Sequence, residues 1–250
     1  MSITNPNRDY FCHVYPKHWL SGKRQSVNAT HYEYQQITLD KLDCFAGCSV
    51  LECGCGSGDL LERLHRRDPA MRLTGVDLGW ASLQRIAQGS LKASSTSLVH
   101  GDIGSLPFPS ASFDRVLSSS VLWYVPDASR AIREMIRVLK PGGRFVFDVR
   151  NPYHVTNAWS RVSLRLRRLA GANPPVYSFF SPRALRTTLA EHAVEFDIAG
   201  YFVLLPTRLP IVGVKWGNWA RYTRHLSFGS GRGKGQWLAQ KLLVAGHKSR

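Results

Sequence analysis

The sequence has 250 residues, of which 44% are hydrophobic, and this suits one sizeable domain with its own core. No apolar run approaches the roughly 18 residues of a membrane-spanning helix, and no secretion signal opens the chain, so we expect a cytoplasmic protein. The formal net charge of +16 is unevenly placed, because residues 149–250 hold 16 Lys/Arg and only 3 Asp/Glu. The second half therefore favours an anionic partner.

The cysteines indicate reduced thiols rather than a disulfide framework. Their number is odd, and all lie in the first quarter of the chain: Cys12, Cys44, Cys48, Cys53 and Cys55. A framework of disulfides would usually have an even, spread-out set. We predict no metal site, since neither a C-x-x-C pair nor a nearby histidine supports one.

The N-terminal part, 8–47, reads as helical, with breaks at Pro16 and Gly22. Strand-like and helix-like segments then alternate along the chain. The predicted strands are 48–53, 72–78, 97–102, 113–125 and 144–149, and the predicted helices are 59–67, 80–91 and 128–140. We expect Pro141-Gly142-Gly143 to stop the last helix and turn the chain. This alternation predicts an α/β fold with a doubly wound, mostly parallel sheet.

The C-terminal part departs from this rhythm. Residues 150–180 read as an inserted helix and loop, and 181–193 as a helix capped by Ser181 with Pro182 in its first turn. The last two strands, 194–206 and 237–248, are predicted to be an antiparallel pair at the sheet edge. We divide the chain into a helical cap (1–47), a core (48–150) and acceptor-cap insertions with the closing strands (151–250), all within one domain.

The stretch "VLECGCGSGD" (50–59) combines a strand end, a glycine-rich turn and a helix start. Glycines permit positive φ and close approach of a ligand, and a helix start offers free N–H groups. The pattern G-x-G-x-G is not the dinucleotide pattern G-x-G-x-x-G, and no P-loop lysine follows. Because Glu52 and Asp59 flank the turn with negative charge, it suits a cationic or zwitterionic ligand better than pyrophosphate.

Polar residues follow the next three strands at corresponding places. Asp77 ends the second strand, Gly101-Asp102 ends the third, and Ser118-Ser119-Ser120 ends the fourth. Ligands of open α/β sheets bind at the carboxyl ends of the strands, and an acid in the place of Asp77 can accept both ribose hydroxyls.

These motifs resemble those of class I S-adenosylmethionine-dependent methyltransferases. The likeness lies in "VLECGCGSGDLLERL", in "GVDLGWASLQRIAQ" and in the long stretch from "HGDIGSLPFP" to "LKPGGRFVFDV". The branch it most resembles contains quinone-biosynthesis-type and other small-molecule methyltransferases. The resemblance implies a Rossmann-like seven-stranded sheet with a reversed final hairpin, a helical cap, and S-adenosylmethionine as cofactor.

For the methionine part of that cofactor, the resemblance implies contacts on two neighbouring strands. Gly54, Gly56 and Gly58 would pass along it, Glu52 would lie beside its amino group, and Ser118 would offer a backbone carbonyl.

For the nucleoside part, the resemblance implies that Asp77 holds the ribose hydroxyls and Asp102 accepts from the adenine amino group. Leu78 and Ile103 would flank the adenine ring. Two departures stand out: Gly79 replaces a frequent serine cap, and Trp123-Tyr124 replaces a frequent acid–histidine pair.

Methyl transfer needs alignment and exclusion of water rather than a nucleophilic side chain, so we assign no catalytic residue. His154 is the histidine best placed to act as a base, but a loop histidine with local hydrogen bonds is the interpretation we favour. We expect a direct in-line transfer to a small-molecule or lipophilic acceptor.

Other interpretations remain open. A tRNA or rRNA substrate would use the basic half, and a non-enzymatic scaffold would keep only the cofactor site. Two segments, 159–171 and 214–228, combine Trp and Leu with Arg or Lys, and could rest on an anionic membrane or be ordinary cap helices. The oligomeric state is left open.

Overall fold

A computed structural model describes residues 7, 29–89, 91, 96–172, 174–201 and 234–250. The predicted basic segment 214–228 lies outside these ranges. The described part of the N-terminal helical region is α1 (Ala29–Leu42).

Seven strands form one sheet, as predicted. They are β1 (Ser49–Cys53), β2 (Arg72–Asp77), β3 (Ser97–His100), β4 (Phe113–Ser118), β5 (Leu139–Arg150), β6 (Val194–Tyr201) and β7 (Lys241–Lys248). Their order is β3-β2-β1-β4-β5-β7-β6. The first five are parallel, and β7 pairs antiparallel with both β5 and β6. From β1 the sheet is built outward in two directions: β2 and β3 lie on one side, and β4 and β5 lie on the other. At such a change of side, a cleft opens at the carboxyl ends of the parallel strands.

Five further helices cover the sheet: α2 (Asp59–Arg67), α3 (Trp80–Gln88), α4 (Ala128–Val138), α5 (Val155–Leu169) and α6 (Pro182–Ala190). Periodicity explains α4, whose buried positions include Ile132, Met135 and Ile136 on one face. Ser181 caps α6 by accepting from the N–H of Ala184 at 3.1 Å, as its sequence predicted.

Several predicted boundaries are wrong. The fourth strand ends at Ser118 rather than at 125, because Leu122–Tyr124 form a short 3-10 helix. The last strand begins at Lys241 rather than at 237, because a 3-10 helix covers Lys234–Leu238.

The third strand ends at His100 and not at Asp102, because residues 102–105 form a turn closed by the Asp102 carbonyl. Helix α4 ends at Val138, before the Pro-Gly-Gly stretch, which lies within β5. Phe113 pairs with Leu139 but Arg115 pairs with Arg144, so residues 140–143 bulge out of the ladder.

The core lies on both faces of the sheet, and all five residues of β1 are buried. The strand that carries the glycine loop is therefore the most enclosed.

Among the helices within the described ranges, none is long and apolar enough to cross a membrane.

Gly246 tests the packing of the reversed hairpin. A Cβ there would collide with the backbone oxygen of Glu195 and approach Cζ of Phe145 to 2.7 Å. We expect Gly246→Ala to lower the free energy of unfolding by about 3 kcal/mol, since neither neighbour can move without disturbing the sheet. Urea denaturation measures the loss.

The control is Gly171→Ala. Gly171 has φ +80° but no atom within 4 Å of an added Cβ, so only backbone strain, about 1 kcal/mol, should appear. Equal losses in the two variants would mean that packing at Gly246 does not limit stability.

Candidate functional site

A cleft of about 580 Å³, partly open to solvent, lies at the carboxyl ends of β1 to β4. The lining residues come from the loops after four strands: Gly54, Gly56, Asp77, Leu78, Gly101, Asp102, Ile103, Ser120, Val121, Tyr124 and Val125. This set contains two carboxyl groups and no basic side chain, so the cleft favours a cationic ligand.

Asp77 is held by the glycine loop and by the start of α3. Its Oδ2 accepts from the N–H of Gly56 at 2.8 Å, and its Oδ1 accepts from the N–H of Gly79 at 2.7 Å. Each carboxylate oxygen has about two acceptor positions, so both oxygens retain capacity for a ligand hydroxyl. Burial raises the pKa of Asp77, and the hydrogen bonds from Gly79 and Gly56 oppose that shift.

The glycine loop uses its three glycines in different ways. Gly54 and Gly56 have φ values of 78° and 49° and line the cleft. A Cβ on Gly54 would lie 2.5 Å from the Val121 side chain, so glycine lets the loop after β4 close over it. Gly58 does not line the cleft. It precedes α2 at φ 81°, and a Cβ there would lie 2.8 Å from Ile86, so its evident role is packing.

Glu52 lies beneath the loop rather than in the wall of the cleft. It is buried, its carboxyl accepts from the backbone N–H of Leu61 in the first turn of α2, and its Oε2 has no hydrogen-bond partner. Burial, followed by repulsion from Asp59 and Asp77, raises its pKa well above the ordinary value. This carboxyl is thus poised to ionise when a cation approaches.

The remaining predicted site residues divide into two groups. Leu78, Asp102 and Ile103 line the cleft, and Asp102 is oriented by a hydrogen bond from the N–H of Gly104 at 2.8 Å. Ser118 is fully buried and absent from the lining; its hydroxyl donates to the carbonyl of Cys53 at 2.9 Å. The hydroxyl therefore joins β4 to β1, and the contact from its backbone carbonyl stays a prediction.

Sequence reasoning gave no cleft role to Val121 and Val125, and it placed Ser120 only within a serine run. Ser120 has φ 63°, a left-handed conformation that is unfavourable for a residue with a side chain. Its N–H donates to Oδ1 of Asp148 at 2.5 Å, and its hydroxyl accepts from Nζ of Lys241 at 2.9 Å. Ser120 thus owes its place in the wall to two residues from other strands.

Asp148 is the centre of that arrangement. It is fully buried, and its Oδ2 accepts from the Tyr34 hydroxyl at 2.9 Å and from Nζ of Lys241 at 3.0 Å. Burial and the neighbouring carboxylate raise the pKa of Tyr34 well above its ordinary value, so it remains a donor. Tyr34 therefore supports the wall from behind.

An aromatic group continues from the cleft toward the end of β5. Tyr124 lines the cleft, and its ring is 5.7 Å from that of Trp123 and 5.3 Å from that of Tyr177. Trp123 is buried, and two cations lie close to its ring: Lys241 Nζ is 4.6 Å and the Arg150 guanidinium carbon 4.7 Å from the ring centroid. Of the predicted aromatic pair, only Tyr124 reaches the cleft.

His154 and the cysteines have structural roles. His154 is buried at the start of α5, where its Nδ1 accepts from the N–H of Thr156 at 3.3 Å, and it does not line the cleft. Burial raises the pKa of Cys44 to about 12 and also raises that of Cys53, which disfavours the nucleophilic thiolate form of both. Within the described ranges, no three His, Cys, Asp or Glu side chains could share a metal ion.

Comparison with known proteins places this cleft in a family context. Residues 51–147, which contain the glycine loop, Asp77, Asp102 and the whole of β4, match the family model of a methyltransferase domain. This part of the chain is therefore similar to a methyltransferase domain.

Relatives of the methyltransferase domain include enzymes of quinone biosynthesis. An uncharacterised methyltransferase, YdaC of Bacillus subtilis, is 30% identical over 125 residues, covering 50% of this chain and 65% of that protein. The ubiquinone/menaquinone biosynthesis C-methyltransferase UbiE of Hahella chejuensis is 35% identical over 121 residues. This match covers 46% of this chain and 48% of the UbiE chain. The chain thus spans about half to two thirds of the length of these relatives.

Among solved structures, geranyl diphosphate C-methyltransferase of Streptomyces coelicolor superposes with a TM-score of 0.60 at 18% identity. The match covers 87% of this chain and 77% of that one, whose crystals contain geranyl diphosphate and S-adenosyl-L-homocysteine. This likeness establishes the fold of the methyltransferase domain.

Asp148→Asn tests the buried centre. The amide would leave Lys241 without its buried counterion, and breaking such a pair typically costs 3–5 kcal/mol. We expect a loss of about 3 kcal/mol in the free energy of unfolding, measured in urea. The control is Asp114→Asn, which weakens a partly exposed contact with Lys140 and Ser49 and should cost about 1 kcal/mol. A loss at Asp148 no larger than at Asp114 would contradict the proposed support of the wall.

Glu52→Gln tests the raised pKa. A folded-state pKa above the unfolded value contributes stability at low pH that disappears as pH rises toward the folded value. The unmodified protein should therefore lose stability from pH 5 to pH 8 relative to the variant, which cannot ionise at this position. Thermal unfolding across that range, without ligand, measures the difference. Parallel pH curves for the two proteins would show that Glu52 keeps an ordinary pKa.

Proposed function

We propose that this chain is an S-adenosylmethionine-dependent methyltransferase acting on a small-molecule or lipophilic acceptor. The observation that carries the proposal is the acidic, glycine-walled cleft at the carboxyl ends of β1 to β4, with Asp77 and Asp102 on its wall. A sulfonium nucleoside with an ammonium group matches that charge, whereas pyrophosphate does not. The family match and the quinone-biosynthesis relatives support the same conclusion.

In this proposal, the nucleoside end lies against β2 and β3. The free acceptor positions of Asp77 bind the ribose hydroxyls, and Asp102 accepts from the adenine amino group. Leu78 and Ile103 pack on the adenine ring from two loops. All four residues line the cleft.

The methionine end lies along the loop after β1. Gly54 and Gly56 bring their backbone to the ligand, and the backbone carbonyl of Ser118 receives the ammonium group. Glu52 acts through the loop, because its buried carboxyl ionises in the field of the ligand's positive charge. Gly58 contributes the turn that starts α2.

The cofactor supplies a methyl group already activated for displacement. The protein then has to align the acceptor and keep water out, and no nucleophilic side chain is needed. Val121, Tyr124 and Val125 provide an apolar wall on the acceptor side, next to the rings of Trp123 and Tyr177. This wall suits a lipophilic acceptor.

We place this activity in the cytoplasm, with peripheral contact to an anionic membrane where a lipophilic acceptor would be found. Four free cysteines in the described part of the chain suit a reducing compartment: Cys44, Cys48, Cys53 and Cys55. The matched relatives do not favour the alternative RNA substrate.

Asp77→Asn tests the site, because the amide cannot accept at both positions. We expect S-adenosylmethionine affinity to fall by at least about a hundredfold, as for the loss of charge-assisted hydrogen bonds, by calorimetry. Asp68→Asn is the matched control: Asp68 also accepts from two backbone N–H groups, those of Gly47 and Ala70, but lies outside the cleft. Unchanged affinity in Asp77→Asn would overturn the site assignment.

Transfer itself is tested with methyl-labelled cofactor and extracts fractionated into small molecules, lipids and RNA. We expect label in the small-molecule or lipid fraction with the unmodified protein and none with Asp77→Asn. Label in the RNA fraction would contradict the small-molecule or lipid acceptor and favour an RNA substrate. Cofactor binding without labelling of any fraction would favour a non-enzymatic role.

A further inference from the structure

Helix α5 turns its apolar stripe away from the part of the protein that the structure describes. The apolar residues Val155, Trp159, Val162, Leu166 and Leu169 recur every three or four residues and are between 51% and 77% exposed. At about 100° per residue, they fall within an arc of about 80°. In most surface helices such a stripe faces the core.

The opposite side of α5 attaches it to the protein, and it does so through polar groups. Asn157, the only buried residue of the helix, donates to the carbonyls of Asn151 and Gln240, both at 2.8 Å. The Thr156 hydroxyl accepts from the Gln240 amide at 3.0 Å. The fold thus fixes the helix with its apolar face outward.

The charges of α5 have one sign. Arg161, Arg165, Arg167 and Arg168 are exposed, and the helix contains no acidic residue. No Asp or Glu occurs anywhere from 149 to 190. None of the arginines lies on the apolar stripe. At about 100° per residue, Arg165 falls about 80° from the centre of the stripe, Arg161 and Arg167 about 120°, and Arg168 about 140°. Arg168 also donates to the carbonyl of Pro175 at 3.5 Å, so Arg165 is the arginine nearest the stripe.

We propose that α5 lies in the interfacial layer of an anionic lipid membrane, with its apolar stripe among the acyl chains and its arginines at the headgroups. The geometry is that of an in-plane amphipathic helix. Arginine stems reach along the apolar surface while the guanidinium groups meet lipid phosphates. This inference rests on the proposed contact of the enzyme with a membrane and assigns the surface that makes it.

Charge and surface chemistry favour lipid over the other occupants of such a face. A second copy of α5 would bring four arginines against four arginines with no acid on either helix. Nucleic acid would pair with the arginines but would leave the Val and Leu side chains in water, since it binds through phosphate contacts and aromatic stacking. A bilayer satisfies both parts of the surface.

Aromatic residues at the N-terminal end of α5 agree with this placement. Tyr153 and Trp237 are exposed, and their rings are 4.9 Å apart. Tyr and Trp are enriched at membrane interfaces, where a ring can be half in lipid and half in water.

The test is co-sedimentation of the full chain with vesicles of phosphatidylcholine containing about one third phosphatidylglycerol, and with pure phosphatidylcholine. We expect binding to the anionic vesicles only, weakening as salt rises. The double variant Trp159→Ser/Leu166→Ser should reduce the affinity at least about tenfold, since it removes two exposed apolar groups. Arg165→Gln/Arg168→Gln should reduce it and flatten its salt dependence.

The controls are changes of the same kind elsewhere. Phe45→Ser removes an exposed apolar ring that precedes β1, at the opposite end of the sheet from the cleft, and Arg183→Gln removes an exposed charge on α6. Neither should alter vesicle binding by more than about twofold. Thermal unfolding and S-adenosylmethionine affinity should be unchanged in all these variants. Vesicle binding therefore tests the membrane surface, while cofactor binding and methyl transfer test the proposed activity independently.

Three outcomes would overturn the inference. One is equal binding of the unmodified protein and the Trp159/Leu166 variant to anionic vesicles. Another is failure to bind those vesicles at all. The third is binding to a polyuridine RNA, in the absence of vesicle binding, that depends on Arg165 and Arg168. Quenching by brominated lipid that is reduced in Trp159→Phe would place the helix in the acyl-chain region.

Discussion

The buried pair formed by Asp148 and Lys241 is the contact on which the cleft depends. Its carboxylate joins α1 through Tyr34, β7 through Lys241 and the loop after β4 through Ser120. Three segments far apart in the chain are thus fixed at one fully buried group. An ion pair in this position is costly to desolvate and more costly to break, so it determines the conformation of the loop more than it adds net stability.

The fold opposes ionisation of the two acids next to the glycine loop. Burial raises the pKa of Asp77 in the cleft wall and of Glu52 beneath the loop, so loss of a proton from either carboxyl is unfavourable in the free protein. A positively charged ligand favours the ionised form of both groups, so ligand binding and ionisation of these carboxyls are coupled. The glycine loop contributes only backbone groups, and the neighbouring acids make it a poor site for an anion.

Sequence reasoning found the parts of the site that are local. Strand ends, the glycine loop, Asp77 and Asp102 follow from short motifs whose geometry is fixed within a few residues, and the structure places them in one cleft. Sequence reasoning did not identify the role of Ser120, because its left-handed conformation is held by a hydrogen bond to Asp148, 28 residues later in the chain. The hydroxyl of Ser118 links two strands, a contact that sequence spacing does not reveal.

Periodicity also predicted that α5 is amphipathic and basic, but not which face meets the protein. That orientation is decided by Asn157 and Thr156, whose partner Gln240 precedes the last strand. A hydrophobic period of 3.6 residues indicates that one face of a helix is apolar. It does not indicate whether that face packs against the rest of the protein.

The position of β7 has a consequence for how the protein is made. β7 lies between β5 and β6, and Lys241 is separated from Asp148 by 93 positions along the chain. As the chain is synthesised, β1 to β5 and the glycine loop emerge first, while β5 still has an open edge rich in buried phenylalanine. Until β7 is synthesised, β5 therefore has unpaired backbone groups that can associate with other chains, and the cleft wall lacks the contact between Lys241 and Asp148.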